Sequence, residues 1–107
     1  MPRASTTSDP FSAIAEPRRR HILEFVAAHE RSVNEIADAL ELGQPSVSKH
    51  LHVLRDVGLV TMRRDGRRSM YRANAETLRT IHEWSRMFAQ HWRGKLRRIK
   101  AHAEEDR

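Results

Sequence analysis

Apolar residues at helical spacing divide the first half of the chain into four short helices. A capping carboxylate, Asp9, precedes Pro10, the residue best tolerated at a first helical position, so a helix is expected to open there. Pro17 breaks that segment and starts another, in which Ile22, Leu23, Val26 and Ala27 trace an inner stripe with Arg18–Arg20 on the other side. Val33, Ile36, Ala37 and Leu40 line the next helix, which stops near Glu41. Ser32 and Glu35 there fit the S-x-x-E capping box, each side chain satisfying the other residue's exposed backbone N–H. The fourth helix opens at Gly43-Gln44-Pro45, carries Val47, Leu51 and Leu54 at i, i+4 and i+7, and ends at Gly58, a left-handed cap after Val57. Two short helices joined by about four residues, the second preceded by a tight turn, form the helix-turn-helix pattern.

Beyond Gly58 the period changes. "LVTMRRDGRRSMYR" holds two β-capable runs around Asp65-Gly66, and a D-G pair predicts a hairpin closed by a type I′ turn. From about Ala75 to Ala103 one long helix is expected, because Leu78, Ile81, Trp84, Phe88, Trp92 and Ile99 recur at helical spacing with Leu96 alongside. Its reach of roughly 40 Å at 1.5 Å per residue exceeds the body of so small a domain, and Gly94 is its weak point. The expected fold is mainly α with a small β-hairpin: a winged helix-turn-helix with a long C-terminal dimerisation helix. Residues 1–8, rich in Ser and Thr, are expected to form a disordered tail, and 9–107 a single domain. Within it lie a recognition helix over about 44–57, a wing over about 59–72 and a C-terminal helix over about 75–103.

Composition sharpens this picture. At 107 residues the chain is one domain, and with 38% hydrophobic residues and six aromatics its core is lean, so a partner chain is expected to supply part of the burial. Trp84, Phe88 and Trp92 are therefore assigned to a homodimer interface with Phe11, Ile14, Leu78 and Ile81, a ligand pocket between the two chains being the competing use. The net charge of +6 favours an anionic polymer or membrane surface over an acidic protein. No apolar run approaches the ~20 residues of a membrane span, and the start lacks the apolar centre of a signal peptide, so the expected location is the cytoplasm, away from membranes. The absence of cysteine excludes disulfides and thiolate metal sites. No nucleophile–base pair, carboxylate dyad, phosphate-binding glycine loop or metal triad appears, so an enzyme is not expected.

The outer face of the fourth helix gives the charge an address. With Val47, Leu51 and Leu54 turned inward, Ser46, Ser48, Lys49 and His52 face out, and none is an acid. An α-helix fits the major groove of duplex DNA, where Ser bonds either donors or acceptors, Lys reaches guanine edges or phosphate, and Gln44 pairs with an adenine edge. Short side chains let the helix backbone approach the bases. Arg63, Arg64, Arg67 and Arg68, with Arg72 behind them, repel one another unless something anionic sits among them, so the wing is expected on the phosphate backbone or in a minor groove. Arg18–Arg20 and Arg55 are candidates for further phosphate contacts, and His50 for a groove-flank or capping role. The expected partners are double-stranded DNA and a second copy of the chain, with no cofactor. The competing reading is a protein-interaction module working through the aromatic C-terminal helix.

"SVNEIADALELGQPSVSKHLHVLRDVGLV" resembles the ArsR/SmtB family of bacterial winged-helix repressors, most specifically in "QPSVSKHL" and "LRDVGLV", and the similarity runs from about Ala13 to Tyr71. The resemblance implies a homodimer formed through the first and last helices. It also implies approach of Gln44, Ser48 and Lys49 to DNA, and repression of the protein's own operon until a ligand, here a small-molecule inducer of unknown identity, releases it. Some features depart from the family pattern. Relatives often carry Gly at the position of Glu41 and a Ser cap at that of Gly43. The cysteine pair of the arsenic and lead sensors is missing from "SVNEIADAL". The zinc positions of the last helix, counted from Tyr71, are Ala75, Thr77, Phe88 and His91, so no metal site is expected. His91, His102 and Glu105 repeat part of the zinc spacing further down, with Ala89 where the acid belongs. They could meet at one ion only across a dimer, and solvated histidines are the expectation. The residues do not separate repressor from activator.

Overall fold

The computed structural model describes residues 9–105, excluding the side chains of Gln90, Trp92 and Glu105. The expected tail over 1–8 and the interface role of Trp92 lie outside the described residues. The chain order is α1 (Pro10–Ile14), α2 (Pro17–Ala28), β1 (Arg31–Ser32), α3 (Val33–Leu40), α4 (Gln44–Asp56), β2 (Val60–Asp65), β3 (Arg68–Ala73) and α5 (Ala75–Glu105).

Local chemistry sets most of these boundaries. Asp9 accepts from the Ser12 backbone N–H at 2.9 Å and from its hydroxyl at 2.8 Å, which fixes the start of α1. Both halves of the Ser32–Glu35 capping box are formed, at 3.2 and 3.1 Å, so the first turn of α3 is pinned. α4 ends in a Schellman motif. Gly58, at φ 81°, donates to the Arg55 carbonyl at 3.0 Å and Leu59 donates to Leu54 at 2.9 Å, while Leu54 and Leu59 are both fully buried.

The core lies where α2, α3 and α4 meet the base of the sheet. Ile22, Val26, Ile36, Val47, Leu51, Leu54, Leu59 and Val60 are all buried almost completely. The α4 stripe is buried as its spacing predicts. Ala27 is not: it lies exposed on α2, because the stripe narrows to Ile22, Leu23 and Val26 where α3, α4 and β3 pack on that helix.

The sheet differs from the expected hairpin in two ways. It has three antiparallel strands in the order β1-β3-β2, with Arg31 opposite Tyr71 and Ser32 opposite Met70. A two-residue strand is too short to leave a period in the sequence, and only β3 beside it defines it as one. The turn also shifts by one residue. Asp65 pairs with Arg68, so Gly66 and Arg67 are the central residues, and only Gly66 (φ 62°) has positive φ. That is the type II′ pattern, with Gly first, and not the type I′ turn expected around Asp65-Gly66.

α5 runs unbroken for 31 residues, past Gly94, and so measures about 46 Å at 1.5 Å per residue. Its first turns are anchored by Leu78 and Ile81, which pack half-buried against the core. The remainder projects, and the molecule spans 63 Å along its longest axis.

Candidate nucleic-acid interface

Burial of Val47, Leu51 and Leu54 fixes the rotation of α4 and turns Gln44, Ser48, Lys49 and His52 to solvent. Ser46 is only half exposed, at the shoulder of the helix and not at the centre of the outward face. No acid occurs between Gly43 and Arg55. At the helix start the Gln44 amide Nε2 donates to Asn34 Oδ1 on α3. Asn34, Asp38, Gln44, Ser48, Arg67 and Arg68 line a groove of about 480 Å³ between α3, α4 and the wing. Neither Asn34 nor Asp38 is marked by the sequence, since both read as ordinary polar positions of α3. Their role appears only when α3 and α4 are placed side by side.

The wing arginines do not act as one cluster. Arg63 grips the Glu30 carboxylate through Nε (3.0 and 2.8 Å) and Nη2 (2.6 Å), binding the wing to the link between α2 and β1. Arg68 Nη2 meets Glu35 Oε1 at 2.6 Å, and Arg64 Nη1 donates across the hairpin to Ser69 Oγ at 3.0 Å. Arg67, at the tip, is exposed and makes no hydrogen bond or ion pair among the described residues. The anions that separate the arginines are thus partly the protein's own, which corrects the expectation that all four await an external one. Glu35's carboxyl is held below its usual range, first by the backbone and hydroxyl of Ser32 and further by Arg68, so it stays charged opposite that arginine.

Arg19 and Arg20 are likewise committed elsewhere. Arg19 Nε donates to the Ala13 carbonyl at 2.6 Å, and Arg20 Nη1 to those of Ile14 and Ala15 at 2.7 and 3.2 Å, closing the open end of α1. Arg18 and Arg55 remain exposed. His50 sits half-buried beside the start of α2. Burial, and then the positive charge of Arg19, pushes its pKa down, with Glu16 opposing, so the neutral ring is favoured.

Comparison with known proteins identifies the family and the fold. Residues 16–62 match the family described as "Bacterial regulatory protein, arsR family". The "Transcriptional repressor SdpR" of Bacillus subtilis is 30% identical over 74 residues, covering 69% of this chain and 82% of that protein. The chain belongs to the ArsR family. A "Probable mercury resistance operon repressor" of Streptomyces lividans is 41% identical over 66 residues, 62% of this chain and 53% of that one. The "HTH-type transcriptional repressor SmtB" of Mycobacterium tuberculosis is 43% identical over 60 residues, 56% of this chain and 44% of the relative. The chain therefore spans about half the length of these two relatives. Among solved structures, an "ArsR-like Transcriptional Regulator" from Rhodococcus sp. RHA1 superposes with a TM-score of 0.68 at 26% identity, covering 89% of this chain and 90% of the other. A Mycobacterium bovis protein, described as a homodimeric winged helix-turn-helix DNA-binding domain, gives 0.67 at 29% identity, covering 85% and 93%. The fold of this ArsR-family chain is accordingly a winged helix-turn-helix, with α3–α4 as its two helices and β2–β3 as the wing. None of these relatives is named as an enzyme.

Glu41 closes α3 in a backbone conformation that ordinarily favours Gly. It adopts φ 55°, the only positive φ outside glycine among the described residues, with Leu42 N–H donating to the Ala37 carbonyl at 3.0 Å. The turn between the two helices keeps its left-handed shape despite the side chain. Gly43 in turn caps α4 without a side-chain bond.

On the far side of the domain, Phe11 and Trp84 meet edge to face at 5.0 Å, and Trp84 and Phe88 lie 4.7 Å apart. These rings remain 39%, 51% and 43% exposed, respectively. Met87, Leu96 and Ile99 are further exposed large apolar residues of α5. Ile14, Leu78 and Ile81, expected at an interface, are half-buried against the chain's own core. No group of three or more metal-binding side chains occurs among the described residues, and no helix is long and apolar enough to cross a membrane.

Proposed function

We propose that this ArsR-family chain is a homodimeric transcriptional repressor that binds double-stranded DNA sequence-specifically, acting in the cytoplasm where that DNA lies. The observation that carries the reading is the orientation of α4: a fully buried apolar stripe turns an exposed face without acids outward, beside a wing tipped by Arg67, which has no partner among the described residues. Gln44, Ser48, Lys49 and His52 meet base edges in the major groove, with Ser46 at its margin. Arg67 and Arg64 reach the phosphate backbone or the adjacent minor groove, while Arg63 and Arg68 hold the wing at its angle. The exposed face of Phe11, Trp84 and Phe88 pairs with the same face of a second copy, in keeping with the homodimeric Mycobacterium bovis domain. A two-fold dimer then sets two α4 helices about one DNA turn apart on an inverted repeat. The names of SdpR and SmtB support repression as the outcome of binding.

The test is a mobility-shift titration on the DNA upstream of the protein's own gene against random duplex of equal length. Tighter binding to the former, with discrimination reduced by Lys49→Ala, supports the reading. Equal affinity of the native chain for both duplexes overturns it.

A further inference from the structure

We infer that Asn34, on α3, is a positioning residue for base recognition: it fixes the amide of Gln44 so that the recognition helix prefers adenine at one base pair of each half-site. The inference rests on the DNA-binding reading above. The Gln44 Nε2 donates one of its two hydrogens to Asn34 Oδ1, which leaves one N–H and the Oε1 acceptor for DNA. Adenine offers N7 as acceptor and N6–H as donor in the major groove, whereas guanine offers two acceptors, N7 and O6. A glutamine amide free to turn over serves either purine. An amide anchored through its nitrogen presents donor and acceptor in one order, and its oxygen then opposes guanine O6.

The backbone that carries the anchor is itself held. Asn34 lies between Ser32 and Glu35, whose reciprocal capping bonds lock the first turn of α3. It also shares one face of α3 with Asp38, across the groove from Gln44 and Ser48. Both Asn34 and Gln44 are exposed, so replacing either leaves the core intact and Asn34→Ala favours the helix.

The experiment selects a preferred duplex from a randomised library with the native protein. Fluorescence anisotropy then measures every single base-pair replacement for native, Asn34→Ala, Asn34→Asp and Gln44→Ala proteins. Gln44→Ala identifies the base pair that depends on the glutamine. At that pair Asn34→Ala is expected to lose at least about 5-fold of the adenine preference, while its random-duplex affinity and salt dependence stay at native values. Asn34→Asp, whose carboxylate accepts the same hydrogen, keeps the preference; any uniform loss from its added charge cancels in the ratio. Replacing the adenine by 7-deazaadenine, which lacks the N7 acceptor, weakens the native protein, Asn34→Asp and Asn34→Ala, all of which keep the Gln44 donor, but not Gln44→Ala. Undiminished preference in Asn34→Ala, loss of it in Asn34→Asp, or a native preference for another base at the Gln44 pair overturns this inference alone. A native protein that binds all duplexes alike overturns the proposed function and the inference with it.

Discussion

The division of the wing into bound and free arginines makes a quantitative prediction. Arg63 is held by three hydrogen bonds of 2.6–3.0 Å to Glu30, whereas Arg67 projects from the turn with no partner among the described residues. If each Arg67 meets one phosphate, Arg67→Ala leaves one phosphate per protomer, and two per dimer, without its cation. The slope of log affinity against log salt concentration falls by about 0.9 for each phosphate no longer neutralised, so the slope becomes shallower by about 1.8. Between 50 and 200 mM salt the variant should therefore lose about tenfold less affinity than the native protein does. Arg63→Ala should leave the slope within error of native, because its charge is already met by a carboxylate of the same chain. The assay is anisotropy with a short random duplex at four or more salt concentrations, at a protein concentration that keeps the dimer intact. Equal slope changes for the two variants would mean that the Glu30 pair opens on DNA, and an unchanged slope for Arg67→Ala would remove the wing tip from the interface.

Other expectations follow from single positions. Leu51→Ala, at a fully buried site of α4, should cost about 2–5 kcal/mol in urea unfolding compared at equal protomer concentration. Glu41→Gly relieves a left-handed backbone and should gain about 0.5–1 kcal/mol after the greater freedom of an unfolded glycine is set against it; a Glu41→Ala control should gain nothing. Phe88→Glu, in the exposed aromatic face, should raise the dimer dissociation constant at least about tenfold by sedimentation equilibrium, with native helix content retained. Asp9 and Glu35 have pKa values lowered mainly by the backbone N–H groups of Ser12 and Ser32. Their contribution to stability is therefore full above the ordinary carboxylate value of about 4 and is lost as pH falls through the lowered values. Asp9→Asn should flatten that acid limb of the stability curve.

Features legible in the sequence share one physical basis: they depend on groups a few residues apart. The Asp9 cap, the Ser32–Glu35 box, the α4 stripe and the Gly58 stop each involve neighbours along the chain, and each appears in the structure. The outward face of α4 follows directly, because burying one side of a helix determines the other. The turn at Gly66 sits one residue from its expected place because register depends on the partner strand, which fixes Asp65 against Arg68.

What only the tertiary structure decided was the company each charged group keeps. Glu30 and Glu35 reach Arg63 and Arg68 from 33 positions away in the chain, and Asn34 reaches Gln44 across the turn. Arg19 and Arg20 turn back onto α1, away from the expected phosphates. A long flexible cation has no inherent direction, so a run of arginines in a sequence states how much charge there is and not where it is spent. The sequence by itself determined the helices, their buried stripes and the positive balance; packing of α2 and α3 against the wing decided which arginines are free.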